Sequence, residues 1–244
     1  MNSAKLLSTG PSRGTVWRIV ENQEQAATRQ ITHSAAEQSR LELLLDNNKP
    51  AYLPGSEHLH WLLKTPFRYP PLRHGSRFGS PFHPGILYAS KELETAMTES
   101  AVYLWLFRSG PLDLGPLDNI LDGRTAIRFS FRHNKVSNLT TAPPFEREQL
   151  TNPASYAHSQ ALGDKLRDTG TAAIWFPSAR KEKGTNCAIL DPQAIPTELS
   201  LLREHWQLRL DADSCWWGRP GQSSFEVLYC DVSDTSGCIP HPAL

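Results

Sequence analysis

The chain has 244 residues, of which 39% are apolar, with seven Trp and nine Phe; this is enough for one domain with a buried core and some elaboration. Twenty-five Lys and Arg balance twenty-five Asp and Glu, so the total charge carries no electrostatic footprint for direct nucleic-acid binding. No window reaches the apolar length of a membrane span or a signal peptide, and Cys187, Cys215, Cys230 and Cys238 form no CxxC pair; a cytoplasmic protein with free thiols is expected.

Residues 1–14 are small, polar and turn-prone and read as a loose tail. Residues 15–20 read as a strand that sets Trp17 and Ile19 on one face and Val16, Arg18 and Val20 on the other. Residues 24–45 read as one or two helices with an apolar stripe at Leu41, Leu44 and Leu45, ended by the Asp-Asn-Asn-Lys-Pro run to Pro50. Residues 58–63 form a short apolar segment stopped by Pro66, and residues 85–89 a short apolar strand. Ser90 then reads as the N-cap of a helix over 91–107, closed by Gly110-Pro111. Further on come a strand at 127–131, a helix over 155–169 ending at Gly170, and buried strands at 172–176 and 186–190. Residues 206–210 and 225–229 are strand-like, and Trp216-Trp217 reads as core or partner surface. Strands and helices mix without regular alternation, so the fold class is α+β rather than a doubly wound sheet.

The chemistry concentrates between Arg68 and Ser100. Arg77, Tyr88 and Glu99 follow one another at intervals of eleven residues, across a Gly-Ser-Pro turn region, a strand and the start of a helix. Singly, each has a plain structural reading: a solvated turn arginine, a core ring, a solvated helical carboxylate. Delivered together to one cleft, a cation, a ring and a carboxylate suit a ligand with phosphates, a flat ring and a bond to cleave, such as nicotinamide dinucleotide. His58, His60, His74 and His83 lie nearby, but no third ligand stands at metal-site spacing, and no metal is expected. GxxxxGK[ST], GxGxxG and GxSxG motifs are all missing from the sequence.

Several segments, in order, resemble the RES-domain family, the toxin half of RES–Xre toxin–antitoxin pairs. They are Gly75-Ser-Arg-Phe-Gly79, Leu87-Tyr-Ala-Ser90, Glu94-Thr-Ala-Met-Thr-Glu99, Ser159-Gln-Ala-Leu162 and Phe176-Pro-Ser-Ala-Arg180, followed by Asn186 and a short strand. The family's common Arg-Trp-Asn triplet is Arg77-Phe78-Gly79 here, so the Asn amide is replaced by no side chain at all. The resemblance covers residues 17–192 loosely and 68–190 well. It implies a domain over 15–192 with an N-terminal helical elaboration, and it leaves 193–244 as a strand-rich extension of that domain without a family counterpart. The implied fold is a compact mixed sheet with flanking helices, similar to ADP-ribosyltransferases.

The implied activity is cleavage of the nicotinamide–ribose bond of NAD by hydrolysis or phosphorolysis, depleting NAD and arresting growth. Protein ADP-ribosylation and a non-catalytic RES-like binding module are the alternatives. The implied partner is an Xre-type helix-turn-helix antitoxin, and homo-oligomers are possible through the Leu-rich helix or the Trp-rich tail. In this reading Glu99 stabilises the oxocarbenium-like state, Arg77 grips the pyrophosphate and Tyr88 stacks on the ring. Ser178 donates to the dinucleotide, Arg18 is a second phosphate ligand and Asn186 is a further candidate.

Overall fold

The computed structural model describes residues 7–22, 31–111, 113, 115, 118–197 and 201–244. Strand β1 (Thr9–Glu21) starts within the stretch expected to be a loose tail: Thr9 to Gly14 pair with a partner strand, and a bulge between Gly10 and Ser12 absorbs the register shift. Small residues there permit close approach. A Cβ on Gly14 would collide with the indole of Trp175.

Helix α1 (Ala35–Asn48) is capped by Ser34, whose hydroxyl accepts the Glu37 N–H at 3.1 Å. It buries none of its residues, and Leu44 and Leu45 lie open to solvent, so the leucine stripe is not core; residues 23–30 of the predicted helical stretch fall outside the described residues. Helix α2 (Trp61–Arg68) contains Pro66 rather than stopping before it, and buries Leu62, Leu63 and Phe67. Strand β2 (Leu87–Ser90) leads to helix α3 (Leu93–Arg108). Ser90 is not the helix cap. It is the last residue of β2, and its buried hydroxyl donates to Asn186 Oδ1 at 2.7 Å. Glu92 takes the cap position instead; its carboxylate accepts from Thr95 Oγ1 and from the Thr185 N–H.

Strand β3 (Ile120–Asn138) runs far beyond the predicted 127–131, and helix α4 (Pro144–Leu150) follows where none was expected. Helix α5 (Ala157–Asp168) ends in a left-handed Gly170, φ +73°, with the Gly170 and Thr171 N–H groups returning to Arg167 O and Leu166 O. Strands β4 (Ala173–Pro177) and β5 (Thr185–Ile189) are buried on both faces, which is why they read as continuous apolar runs. Ala173, Trp175, Cys187 and Ile189 pack on one side with α2, while Ile174, Phe176, Ala188 and Leu190 pack on the other with α4 and α5. Strands β6 (Leu202–Leu210), β7 (Ser214–Gly218) and β8 (Phe225–Leu228) complete the sheet. In β7, Trp217 is fully buried while Trp216 is 38% exposed, as the two-residue period of a half-buried strand requires.

The eight described strands form one α+β sheet, ordered β1-β2-β5-β4-β3-β6-β7-β8, with β3–β4 the parallel pairing. A further β1–β3 ladder closes β1, β2, β5, β4 and β3 into a ring, and β6 to β8 extend outward from β3. Helix α3 packs on β1, with Met97, Ala101, Val102 and Trp105 joining Trp206, Leu208 and Trp217 in a core that includes the C-terminal Ile239. At the β1–β2 seam only Trp17 and Ser90 pair, and beside it a cleft opens.

Candidate active site

The cleft has a volume of about 460 Å³ and is bordered by β1, β2, α3, β5, the 76–77 turn, the start of α5 and the C-terminal segment. It brings Arg18, Arg77, Tyr88 and Glu99 to one lining, together with Asn186. Ser178 reaches it through Glu99.

Arg77 is carried by a tight turn in which the Ser76 and Gly79 backbones bond to each other, entered through Gly75 at φ +74°. Three contacts hold that turn. Phe78 is fully buried against Phe176, ring centroids 4.9 Å apart; Gln160 Nε2 donates to the His74 and Ser76 carbonyls; and Gly163 of α5 lets the Phe78 backbone lie directly on the helix. A Cβ at position 163 would stand 2.5 Å from Phe78 O. Gly→Ala inside a helix normally stabilises by up to about 1 kcal/mol. Gly163→Ala is therefore expected to have the opposite sign, destabilising by about 1–3 kcal/mol through overpacking. Thermal melting measures it, and a raised melting temperature would show that the turn is free to move.

The Arg77 guanidinium lies 4.7 Å above the Tyr156 ring, and its Nη1 donates to Leu150 O at 2.7 Å and Asn152 O at 3.2 Å. These carbonyls fix one corner of the planar fork. Tyr88 is oriented by its hydroxyl, which accepts from the Phe78 N–H and donates to Ser76 Oγ, both at 3.0 Å. Burial pushes the phenol up to about 12, against the opposing pull of those bonds, so Tyr88 stays protonated. Its hydroxyl ties β2 to the arginine turn, and its ring borders the cleft, edge-on to Phe176.

Glu99 sits on the cleft side of α3, with Oε1 held at two points: it accepts from Ser178 Oγ at 2.7 Å and from Asn186 Nδ2 at 2.6 Å. Both donors are themselves oriented. Ser178 Oγ accepts the Arg180 and Lys181 N–H groups, so its single proton is directed to Glu99. Asn186 Nδ2 faces the acceptor-only carboxylate, which settles the amide orientation, and its Oδ1 accepts from Ser90 across the β2–β5 ladder. Among the described residues Oε2 takes no hydrogen bond, which leaves that oxygen as an acceptor. The Ser178 proton is thus directed to the carboxylate, and Asn186 is its counterpart.

Arg18 projects from β1 into the same cleft, and Nη1 donates to Tyr88 O at 2.8 Å. Its Nε is buried without a partner, and burial lowers the guanidinium pKa to about 10, so it keeps its charge at neutral pH. Among the described residues neither Arg18 nor Glu99 belongs to an ion pair. A desolvated cation that no carboxylate answers is costly unless an anion arrives.

Three lining residues escape sequence reasoning. Tyr103 lies one helical turn beyond Glu99 on α3, a spacing that does place the two on one face. Tyr156 stands in a segment chosen for other residues, whereas Arg180 ends the Phe176-Pro-Ser-Ala-Arg180 segment and reads as an alternative phosphate ligand to Arg77. His241 sits three positions before Leu244 in a stretch with no motif. Arg180 donates to Pro240 O at 2.8 Å and has its pKa lowered by burial, an effect that the nearby Glu99 charge opposes. His58 and His60 diverge: His58 contacts Ile195 O, while His60 caps α2 and meets Arg203.

Comparison with solved structures finds, among other matches, the MbcT–MbcA toxin–antitoxin complex of M. tuberculosis, with a TM-score of 0.47 and 15% identity over 84% of this chain and 88% of that one. No curated protein sequence matches. The RES domain family model matches residues 52–211, a span holding Arg77, Tyr88, Glu99, Ser178 and Asn186 and omitting Arg18 and His241. With about two thirds of its length matched, the chain belongs to the RES domain family.

Proposed function

We propose that the protein is a RES-type toxin that breaks the nicotinamide–ribose bond of NAD and is silenced by an Xre-type antitoxin. One observation carries the chemistry: a half-buried cation without an ion pair, Arg18, and a half-anchored carboxylate, Glu99, share a cleft in which neither neutralises the other. A dinucleotide supplies what each lacks. Its pyrophosphate answers Arg18 and the open edge of Arg77, and its ribose hydroxyls answer Glu99 Oε2.

The reaction asks little proton transfer of the protein. The C–N bond breaks with its electron pair moving to the pyridinium nitrogen, so nicotinamide leaves neutral, without an acid. The ribosyl carbon passes through an oxocarbenium-like state, as in glycoside hydrolysis, and then forms a C–O bond to water, which releases a proton, or to phosphate. Glu99, its Oε1 held by Ser178 and Asn186, places fixed negative charge beside the cationic ribose with no reorganisation during the step.

Purified protein incubated with NAD is expected to release nicotinamide, and product analysis with and without phosphate separates ADP-ribose from its phosphorylated counterpart. Protein ADP-ribosylation would appear instead as label transferred to protein. Binding of NAD with no turnover under any of these conditions would return the chain to a non-catalytic module.

A further inference from the structure

The C-terminal residues lie outside the span matched by the family, yet they enter the cleft. The segment is anchored just before it arrives. Asp234 Oδ1 accepts from the Ser236 and Cys238 N–H groups, the Asp234 N–H returns to Cys238 O at 2.8 Å, and Ile239 is 3% exposed in the α3 core. Two consecutive residues then act on the site. The Pro240 carbonyl accepts Arg180 Nη2 at 2.8 Å, and His241, 6% exposed, meets Tyr156 Oη through Nε2 at 3.0 Å.

The second ring nitrogen settles the direction of that bond. His241 Nδ1 accepts the Ala243 N–H at 3.1 Å, so in the neutral imidazole the proton stands on Nε2 and is donated to Tyr156. The Tyr156 hydroxyl proton is thereby turned away from the histidine, and the Tyr156 ring carries the Arg77 guanidinium. Around the imidazole stand Tyr156, Tyr103 and His74 in near-perpendicular ring contact, with Arg180 and Arg77 behind them. Burial and then the charges of Arg180, His74 and Arg77 lower the His241 pKa to about 4, consistent with a neutral donor. A residue that only filled space here would need neither nitrogen.

We propose that Pro240 and His241 are positioning residues of the cleft: His241 orients Tyr156 and the Arg77 stacked on it, while the Pro240 carbonyl orients Arg180, so that the C-terminal segment completes the phosphate-binding side. This rests on reading the cleft as a dinucleotide site. A phosphate-binding role predicts that variants raise KM and lose affinity for the product-like ADP-ribose, with kcat little changed.

The test uses the full chain with His241→Phe, His241→Gln, Tyr156→Phe and the His241→Phe/Tyr156→Phe double variant, titrated with NAD and ADP-ribose by calorimetry and assayed for turnover. Loss of one oriented hydrogen bond is expected to weaken binding about tenfold in His241→Phe, with His241→Gln, which keeps an N–H donor, restoring most of it. Tyr156→Phe should match the His241→Phe loss, and the double variant should lose no more than either. Wild-type affinity in His241→Phe, or additive losses in the double variant, overturns the proposal. If His241→Phe fails to fold, Tyr156→Phe decides alone: it keeps the ring beneath Arg77, and unchanged affinity overturns the proposal. Tyrosine ring-carbon NMR gives a readout independent of any ligand. The Tyr156 Cζ signal should shift in His241→Phe and return in His241→Gln; an unmoved signal also overturns the proposal. Wild-type protein that binds neither ligand, with the NMR shift present, instead removes the dinucleotide reading and leaves the histidine–tyrosine coupling standing.

Discussion

Glu99→Gln is expected to lower NAD turnover by a factor on the order of 10²–10³, the range for removing one positioned electrostatic group. The amide can keep an oxygen where Ser178 and Asn186 deliver their protons, so the local network survives. What disappears is the negative charge facing the ribose. An amide nitrogen also replaces the Oε2 acceptor, so the hydrogen bond to a ribose hydroxyl would have to reverse. Folding should hardly notice, since Glu99 is only half-buried and forms no described ion pair; a melting temperature within a few degrees of wild type is expected. Initial rates of nicotinamide release check the first part and calorimetric melting the second. Turnover near the wild-type rate would reduce Glu99 to a structural acceptor for two oriented donors.

Arg18→Met should separate binding from stability in the opposite sense. The guanidinium is held by the Tyr88 carbonyl, has a buried unpartnered Nε, and faces no carboxylate. Arg18 is half-buried, and replacing a partly desolvated, unanswered charge by an apolar chain of similar length is commonly neutral or stabilising. The free protein is therefore expected to melt no lower than wild type. Dinucleotide affinity should fall by about 1.5–3 kcal/mol, the scale of a charge-assisted hydrogen bond to phosphate. Titrating NAD into a Glu99→Gln background, with and without Arg18→Met, measures this without turnover. Unchanged affinity would move phosphate binding to Arg77 and Arg180. A large drop in melting temperature would show instead that the bond to Tyr88 O holds β1 against β2.

The strands that close the core were readable because burial on both faces leaves an uninterrupted apolar signature. Residues 172–176 and 186–190 are of this kind, and they became β4 and β5 almost in place. The alternation of Trp206, Leu208 and Leu210 likewise marked a half-buried strand. Local signals misled wherever a long-range partner outbid them. Ser90 has the chemistry of a helix cap, but Asn186 lies opposite it across the ladder and takes its hydroxyl. The leucines of α1 have helical spacing, yet none of them is buried. Thr9 to Gly14 look like a tail because their pairing energy comes from β3, more than a hundred residues away.

The candidate site divides along the same line. Arg77, Tyr88 and Glu99 could be named from the sequence because one turn, one strand and one helix deliver them in order. The sequence by itself also determined the residue types available: a guanidinium, a phenol and a carboxylate, with Arg18 and Ser178 in reserve. Only the tertiary structure decided what each atom faces. It turned Ser178 and Asn186 onto one oxygen of Glu99, tied the Tyr88 hydroxyl to the arginine turn, and left Arg18 without an anion. It also brought in His241, which local sequence could not mark, because its role depends on a hydrogen bond spanning 85 residues to Tyr156. Hydrogen bonds act over about 3 Å in space, and at such sequence separations the chain sets the partners only by folding.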